Sequence, residues 1–499
     1  MTHFHYLRME RWETMNENVT LHNNEEIKFF GMEYFKVSQE ILRKVFAEAL
    51  AKGADYADLF FEHTTSSYLA LTDGKVHKAY SNVDFGVGIR VIYKEKTGYA
   101  FTENICEKEL LHIAKIASQI ATNPQSSPAY TSFLPPKSFH NFYPVKTSWE
   151  GISTAEKMPF MQKLNEKIFS KDNRVKKVQV YLSDSNSRIF FVNSEGVSYT
   201  DFRPLVSLGA VCVMKEGEKL ESARVGKSYR MGYEFLTEER IENIAQEAID
   251  KTSILFKAIR GKGGEMPVVL GAGSSGILLH EAIGHAFEAD FNRKNESIFS
   301  NQLHQKICNE HINVVDDATL QNYRGSLNID DEGISGEKTY IVREGVLNSY
   351  LYDRISAKHY KVPYTGNGRR ESFRNYPLPR MRSTYMENGD TTEEELIKEV
   401  KRGIYCDTFT NGQVQIGAGD FTFFVKSGYL IEEGKLTQPL KDINIIGNGP
   451  QALADITLVA NNLQIDDGTW MCGKGGQSVP VSQGMPSVLV KSLVVGGTN

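Results

Sequence analysis

Apolar residues in SQEILRKVFAEALAKG (38–53) recur every three or four positions and stop at a glycine, which predicts an amphipathic helix. The same spacing predicts helices at 107–122, 154–170 and 236–257. Between them the period changes. DYADLFFEHT (55–64) reads as a strand and GVGIRVIYKEKTGYAFTE (86–103) as a hairpin. VKKVQVYLSDS, RIFFVNSEG and PLVSLGAVCVMKEG alternate apolar and polar positions like antiparallel strands. Several strands among a few helices, without strict βαβ order, predict an α+β fold.

RGKGGEMP (260–267) is a polar, glycine-rich break and the expected domain boundary. It divides an N-terminal mixed sheet-and-helix domain (32–260) from a C-terminal, mostly β catalytic domain (261–499) that carries a metal-binding helix. Beyond about residue 327 the turn signals DDEG, VREGV, IEEGK, GNGP and DDG punctuate short strand patterns. One helical stretch, TTEEELIKEVKRG (391–403), interrupts them, and the β domain is expected to close around it. Residues 1–31 read as a polar, poorly ordered leader without the apolar stretch of a secretory signal, with Met15 and Met32 as alternative starts.

Composition narrows the class. The 499 residues are 40% hydrophobic and 24% charged with a net charge of −5, the balance of a soluble protein with no general affinity for nucleic acid. No apolar run approaches the roughly 18 residues of a transmembrane helix. Five scattered cysteines, Cys106, Cys212, Cys308, Cys406 and Cys472, argue against a disulfide framework and for a reducing, cytoplasmic setting. Four of them read as small core residues. Cys472 does not.

The chemistry concentrates in His280-Glu281-Ala282-Ile283-Gly284-His285, inside an apolar segment expected to be helical. Neutral imidazoles hold a metal well, and a neighbouring carboxylate can take a proton from water there. The spacing is five, not the four of the common H-E-x-x-H pattern. On a regular α-helix the two rings would diverge by about 140°. Both can reach one ion only if the turn is widened to π geometry, and Gly284 is expected to ease that deviation. Cys472, in the glycine-dense WMCGKGGQSVPVSQGMPS, could add a thiolate from a loop. Two nitrogens, one sulfur and an open position would make a catalytic zinc site. The bland alternative is a pair of core histidines and a helix-surface glutamate. Glu288 and Asp290 stand as partners of a histidine N–H, as plain structure, or as a third ligand in place of Cys472.

Two motifs carry less. Gly271 through Gly276 matches a dinucleotide fingerprint but lacks the surrounding βαβ repeat, so a tight strand-to-helix turn is expected. Gly468 through Lys474 has phosphate-loop spacing, yet Gly475 stands where Ser or Thr would bind magnesium. Arg369, Arg370, Arg374, Arg380 and Arg382 in TGNGRRESFRNYPLPRMRSTY either clamp a substrate carboxylate or knit a structural loop.

Together these residues resemble the TldD/PmbA family of zinc metallopeptidases, on its catalytic TldD side. The resemblance rests on SSGILLHEAIGHAFEADFNRK (274–294), DDEG (330–333), TGNGRRES (365–372), PRM (379–381), GQV (412–414), IIGNGP (445–450) and CGKGGQSVPV (472–481), in the family's order. It implies one Zn2+ per chain held by His280, His285 and Cys472, with Glu281 as catalytic base. It also implies a dimer, with a second copy or with an inactive PmbA/TldE-like relative, enclosing a cavity that admits unfolded or extended peptides. The rival expectation is a non-enzymatic modulator or binding protein whose structural zinc is closed by a fourth ligand such as Glu288. Arg382-Ser383, where members often have Thr-Asn, and Gly475, in place of a common Asp, depart from the family pattern. Those positions bear on substrate preference more than on the metal site.

Overall fold

The computed structural model describes residues 31–121 and 136–497. The expected leader lies outside them except for Gly31, which opens a helical turn. No described helix is long and apolar enough to cross a membrane.

The N-terminal half consists of α1 (Gln39–Leu50), β1 (Tyr56–Thr72), β2 (Lys75–Tyr93), β3 (Lys96–Thr102), α2 (Glu107–Ala117), α3 (Thr154–Lys171), β4 (Val175–Asn193), β5 (Ser198–Glu216), β6 (Lys219–Tyr229) and α4 (Glu238–Lys257). Its six strands form one antiparallel sheet in the order β3-β2-β1-β4-β5-β6. Side chains alternate across a strand, so the odd positions of β1 share one face with the even positions of β4. That face buries two separate cores. Leu59, Phe61, Ile89 and Val192 pack with α1 and α2, whereas Leu71, Val180, Leu208 and Val225 pack with α3 and α4.

Between these cores the strands run through polar residues. Thr64 bonds Ser187, and the buried Lys157 ammonium lies 2.7 Å from Asp184. This corrects the expected breaks. VKKVQVYLSDS and RIFFVN are one 19-residue strand, because SDSNS spans the gap between two helix pairs and is not a turn.

The opposite face of the sheet meets the C-terminal half. Phe60, Ile189, Phe191 and Tyr199 pack there against Ile329 and Phe373. Arg90 on β2 joins Asp58 on β1 to Glu332, at 2.6 Å from the latter, and Arg203 reaches Asp331, also at 2.6 Å.

The C-terminal half contributes β7 (Gly264–Leu270), α5 (Glu393–Lys398), β8 (Arg402–Val414), β9 (Asp420–Glu432), β10 (Lys435–Asn448), the short strands β11 (Met471–Lys474) and β12 (Gln477–Pro480), and β13 (Val488–Gly496). Pairings run β13-β7-β8-β9-β10, and Asn444–Ile446 of β10 pair back onto Val494–Gly496, so the five strands close on themselves. The core inside includes Val268, Phe421, Phe423, Ile445 and Val495 with Leu278, Leu279 and Ile283 from the His-Glu-His segment. The β domain therefore closes around that segment and not around the helix expected at 391–403. α5 buries only Leu396 and Ile397, with Val400 beyond its end, against Val269 and Ile431 in a separate cluster. A helix with a single narrow apolar stripe covers an outer face instead of filling a core.

Candidate metal centre

The centre begins where β7 ends. Gly271 through Gly276 forms the tight turn, with Gly273 at φ +82° and the Ser275 hydroxyl donating to the Gly271 carbonyl. The chain then winds as a π-helix from Leu278 to Gly284, and the His285 N–H bonds the carbonyl of His280, five residues back. Residues five apart stack on such a turn. The two imidazole centroids are 5.2 Å apart, with ring planes 83° to one another.

Gly284 serves a purpose other than the expected one. Its φ of −59° and ψ of −48° are ordinary helical values. A Cβ there would sit 2.3 Å from the sulfur of Met381, so the glycine lets the 379–381 segment press against the turn. Nor is the Cys472 segment a loop. β11 and β12 form a hairpin turned by Gly475 and Gly476 at φ +58° and +75°, values that favour glycine. Arg380 holds the hairpin by donating to the Cys472 carbonyl.

This packing brings His280, His285 and Cys472 together, with one donor atom from each lying within 4.8 Å of the others. All three are buried, at 2%, 5% and 1% exposure. The Cys472 sulfur is 3.5 Å from His285 Nε2. Neither ring nitrogen of His280 has a hydrogen-bond partner. Burial alone would raise the Cys472 thiol, but His280 and His285 outweigh it and hold the thiol well below its usual value. Orphaned imidazole nitrogens beside a thiolate-forming sulfur fit a soft or borderline divalent cation.

Behind His285 runs a chain of charges. His285 Nδ1 lies 2.9 Å from Glu288 Oε2, so an N–H there donates to the carboxylate and turns the Nε2 lone pair toward Cys472. Lys474 sits 3.1 Å from Glu288 and 2.6 Å from Asp290, and donates to the Pro379 carbonyl. Burial would raise the Glu288 carboxyl; Lys474 and His285 override it and bring it down to about 2. Lys474 was visible in sequence only as part of the failed phosphate loop. Its position two residues after Cys472, on the same side of a strand, was the available signal.

Glu281 follows His280 directly on the π turn and is half-buried. Arg369 and Arg370 are buried and do not join the three-residue cluster. Arg369 donates to the carbonyls of Met381 and Pro480. Arg370 donates to the Asp331 carbonyl and lies 3.5 Å from Asp58. Arg382 is locked to Asp316 at 2.6 Å, and Arg374 pairs with Asp84 and Glu103, each at 2.8 Å.

Comparison with known proteins now adds an independent line. Family models for PmbA/TldA metallopeptidase domain 1, central domain and C-terminal domain match residues 57–121, 148–256 and 263–497. The chain belongs to the PmbA/TldD metallopeptidase family. A metalloprotease TldD homologue of Haemophilus influenzae is 36% identical over 93% of this chain and 97% of its own length. A zinc metalloprotease TldD homologue of Saccharolobus solfataricus is 30% identical over 91% of this chain and 99% of its own length. Among solved structures, TldE of Thermococcus kodakarensis shares the fold at TM-score 0.69 and 18% identity, covering 92% of this chain and 99% of that one. A Thermotoga maritima protein described as a modulator of a DNA gyrase does so at TM-score 0.74 and 23% identity, covering 92% of this chain and all of that one. These two likenesses speak to the fold alone.

Proposed function

We propose that the chain is a zinc-dependent peptidase of the cytoplasm that hydrolyses unfolded or extended peptides within the cavity of a dimer, formed with a second copy or with a TldE-like relative. The observation that carries the reading is the buried His280 ring, with both nitrogens unpartnered, beside His285 and Cys472. An uncompensated buried imidazole costs free energy that a bound cation returns.

His280, His285 and Cys472 would hold one zinc ion and leave a position free for substrate or water. Zinc there supplies Lewis-acid polarisation of the scissile carbonyl and acidifies water. Glu281 takes the proton of the attacking water and returns it to the leaving amine. Glu288, braced by Lys474, fixes the tautomer and tilt of His285. Because Glu288 meets the outer nitrogen of His285, it is spoken for, which favours an open catalytic site over a closed structural one.

The test is digestion of an unfolded polypeptide and of its folded counterpart by the purified chain, alone and with any co-expressed TldE-like relative. Cleavage should be confined to the unfolded form, cease after chelation and return with one zinc equivalent. Cleavage that persists in metal-free protein would refute the reading.

A further inference from the structure

Buried arginines in this molecule fall into two groups. Arg90, Arg370 and Arg382 each face a carboxylate, as does the partly buried Arg203. Arg230, Arg324, Arg369 and Arg380, at 3%, 5%, 3% and 0% exposure, form no ion pair among the described residues. All four bond backbone carbonyls: Arg324 that of Trp470, Arg369 that of Pro480, Arg380 that of Cys472 and Arg230 that of Pro204. Arg230 has the least. Its guanidinium makes a long bond to the Pro204 carbonyl, at 3.5 Å, and lies over the Tyr143 ring at 5.2 Å, while its Nε is buried without a hydrogen-bond partner. Burial, then the charge of Arg230, pushes both Arg324 and Arg369 down to about 9. Burial outweighs the attraction of Tyr143, Asp201 and Asp331 and lowers Arg230, and a buried cation without a direct ion pair is costly, so an incoming anion would be favoured there.

Arg230 and Arg369 line one cavity of about 140 Å3 between the N-terminal sheet and the C-terminal half. Pro480 of the Cys472 hairpin forms part of its wall, in register opposite Met471. At about 30 Å3 per water, that space holds the equivalent of roughly four or five waters, enough for a carboxylate and the short stem that bears it. The carboxylates in the wall are already engaged. Glu62 accepts from Thr64 and the Phe373 N–H, Asp331 from Arg203 and the Arg370 N–H, and Glu371 from the Ser478 N–H. Burial pushes the Glu62 carboxyl up and Glu371 is exposed, so the buried charges of the cavity that lack an ion pair among the described residues are the cations Arg230 and Arg369.

We infer that this cavity is a carboxylate subsite in which Arg230, backed by Arg369, binds one carboxylate of the peptide beside the Cys472 hairpin. The guanidinium fork matches a planar carboxylate. The carboxylate comes from the peptide's C-terminus or from an Asp or Glu side chain. The inference rests on the peptidase reading for its substrate class, but its test does not use hydrolysis.

Calorimetric titration of the full-length Glu281→Gln chain uses three alanine-rich peptides. One has a free C-terminus, one is amidated, and one is amidated with an internal Glu. One carboxylate-bearing peptide should bind at least tenfold tighter than the neutral one, and which one does so identifies the source. Adding Arg230→Met should erase the preference without lowering Tm, because an unpaired buried cation is replaced by a methionine. Equal affinities, no binding by either carboxylate peptide, or a preference that survives Arg230→Met would overturn the inference. Should Arg230→Met not fold, Arg230→Lys decides. It keeps the charge but loses the fork, so the preference should drop at least threefold, and an unchanged preference overturns the inference. Cleavage of the neutral peptide by the zinc-loaded parent chain tests the peptidase reading separately.

Discussion

The belt between the two halves and the centre at His280 bury similar chemistry and treat it in opposite ways. Along most of the belt, outside the cavity at Arg230 and Arg369, the charges answer one another. Arg90 spans Asp58 and Glu332, Arg203 spans Asp201 and Asp331, and Asp330 accepts from the Glu332, Ile334 and Gly368 N–H groups. At the centre one imidazole has no partner, the other is held from behind, and the sulfur is poised as a thiolate. Paired charges hold two halves together, whereas the unpartnered nitrogens of His280 are what the proposed metal site needs.

Each side of that contrast can be broken. The largest effect should come from His280→Ala or Cys472→Ser, which remove a proposed ligand. Peptide hydrolysis should fall by roughly 10³ or more, with zinc lost from the purified protein by elemental analysis. Glu281→Gln should keep one zinc per chain while turnover falls about 10²–10⁴-fold in a peptide assay. On the other side, Arg90→Ala takes the cation from Glu332 and leaves Asp58 with only Arg370 at 3.5 Å, and should cost about 3–5 kcal/mol in denaturant unfolding, with metal still bound to the folded fraction. Glu288→Ala sharpens the contrast from the centre, weakening zinc affinity by roughly 10–100-fold in competition with a chelator.

The smallest effect concerns Asp353, which burial first and Glu332 second raise to about 6. An acid whose folded value is raised contributes stability below its unfolded value, near 4, and loses it as pH climbs through 6. Asp353→Asn keeps the helix cap that Asp353 makes to the Ser356 N–H and removes the buried charge. The variant should match the parent in Tm at pH 4 and exceed it at pH 7.5, by about 1–2 kcal/mol in unfolding free energy.

Much of this was legible in the chain. The four N-terminal helices follow apolar spacing because each lays one stripe on a sheet. The five-residue separation of His280 and His285 named the π geometry that the fold adopts, since no other helical pitch aligns those rings. What was hidden depends on distant partners. VKKVQVYLSDS and RIFFVNSEG look like two strands until two helix pairs are seen to leave a polar gap across the sheet. Gly284 looks like a hinge until Met381 is found against it. Arg230 belongs to no recognisable motif and Lys474 only to a failed one, and only tertiary packing shows Lys474 on a carboxylate chain and the Nε of Arg230 without a partner.

The most direct test of the central claim is zinc-edge X-ray absorption on the purified chain. The account predicts two nitrogen neighbours at about 2.0–2.1 Å, one sulfur at about 2.3 Å and a light atom from solvent. A zinc shell without sulfur, or one closed by four protein ligands, would contradict it.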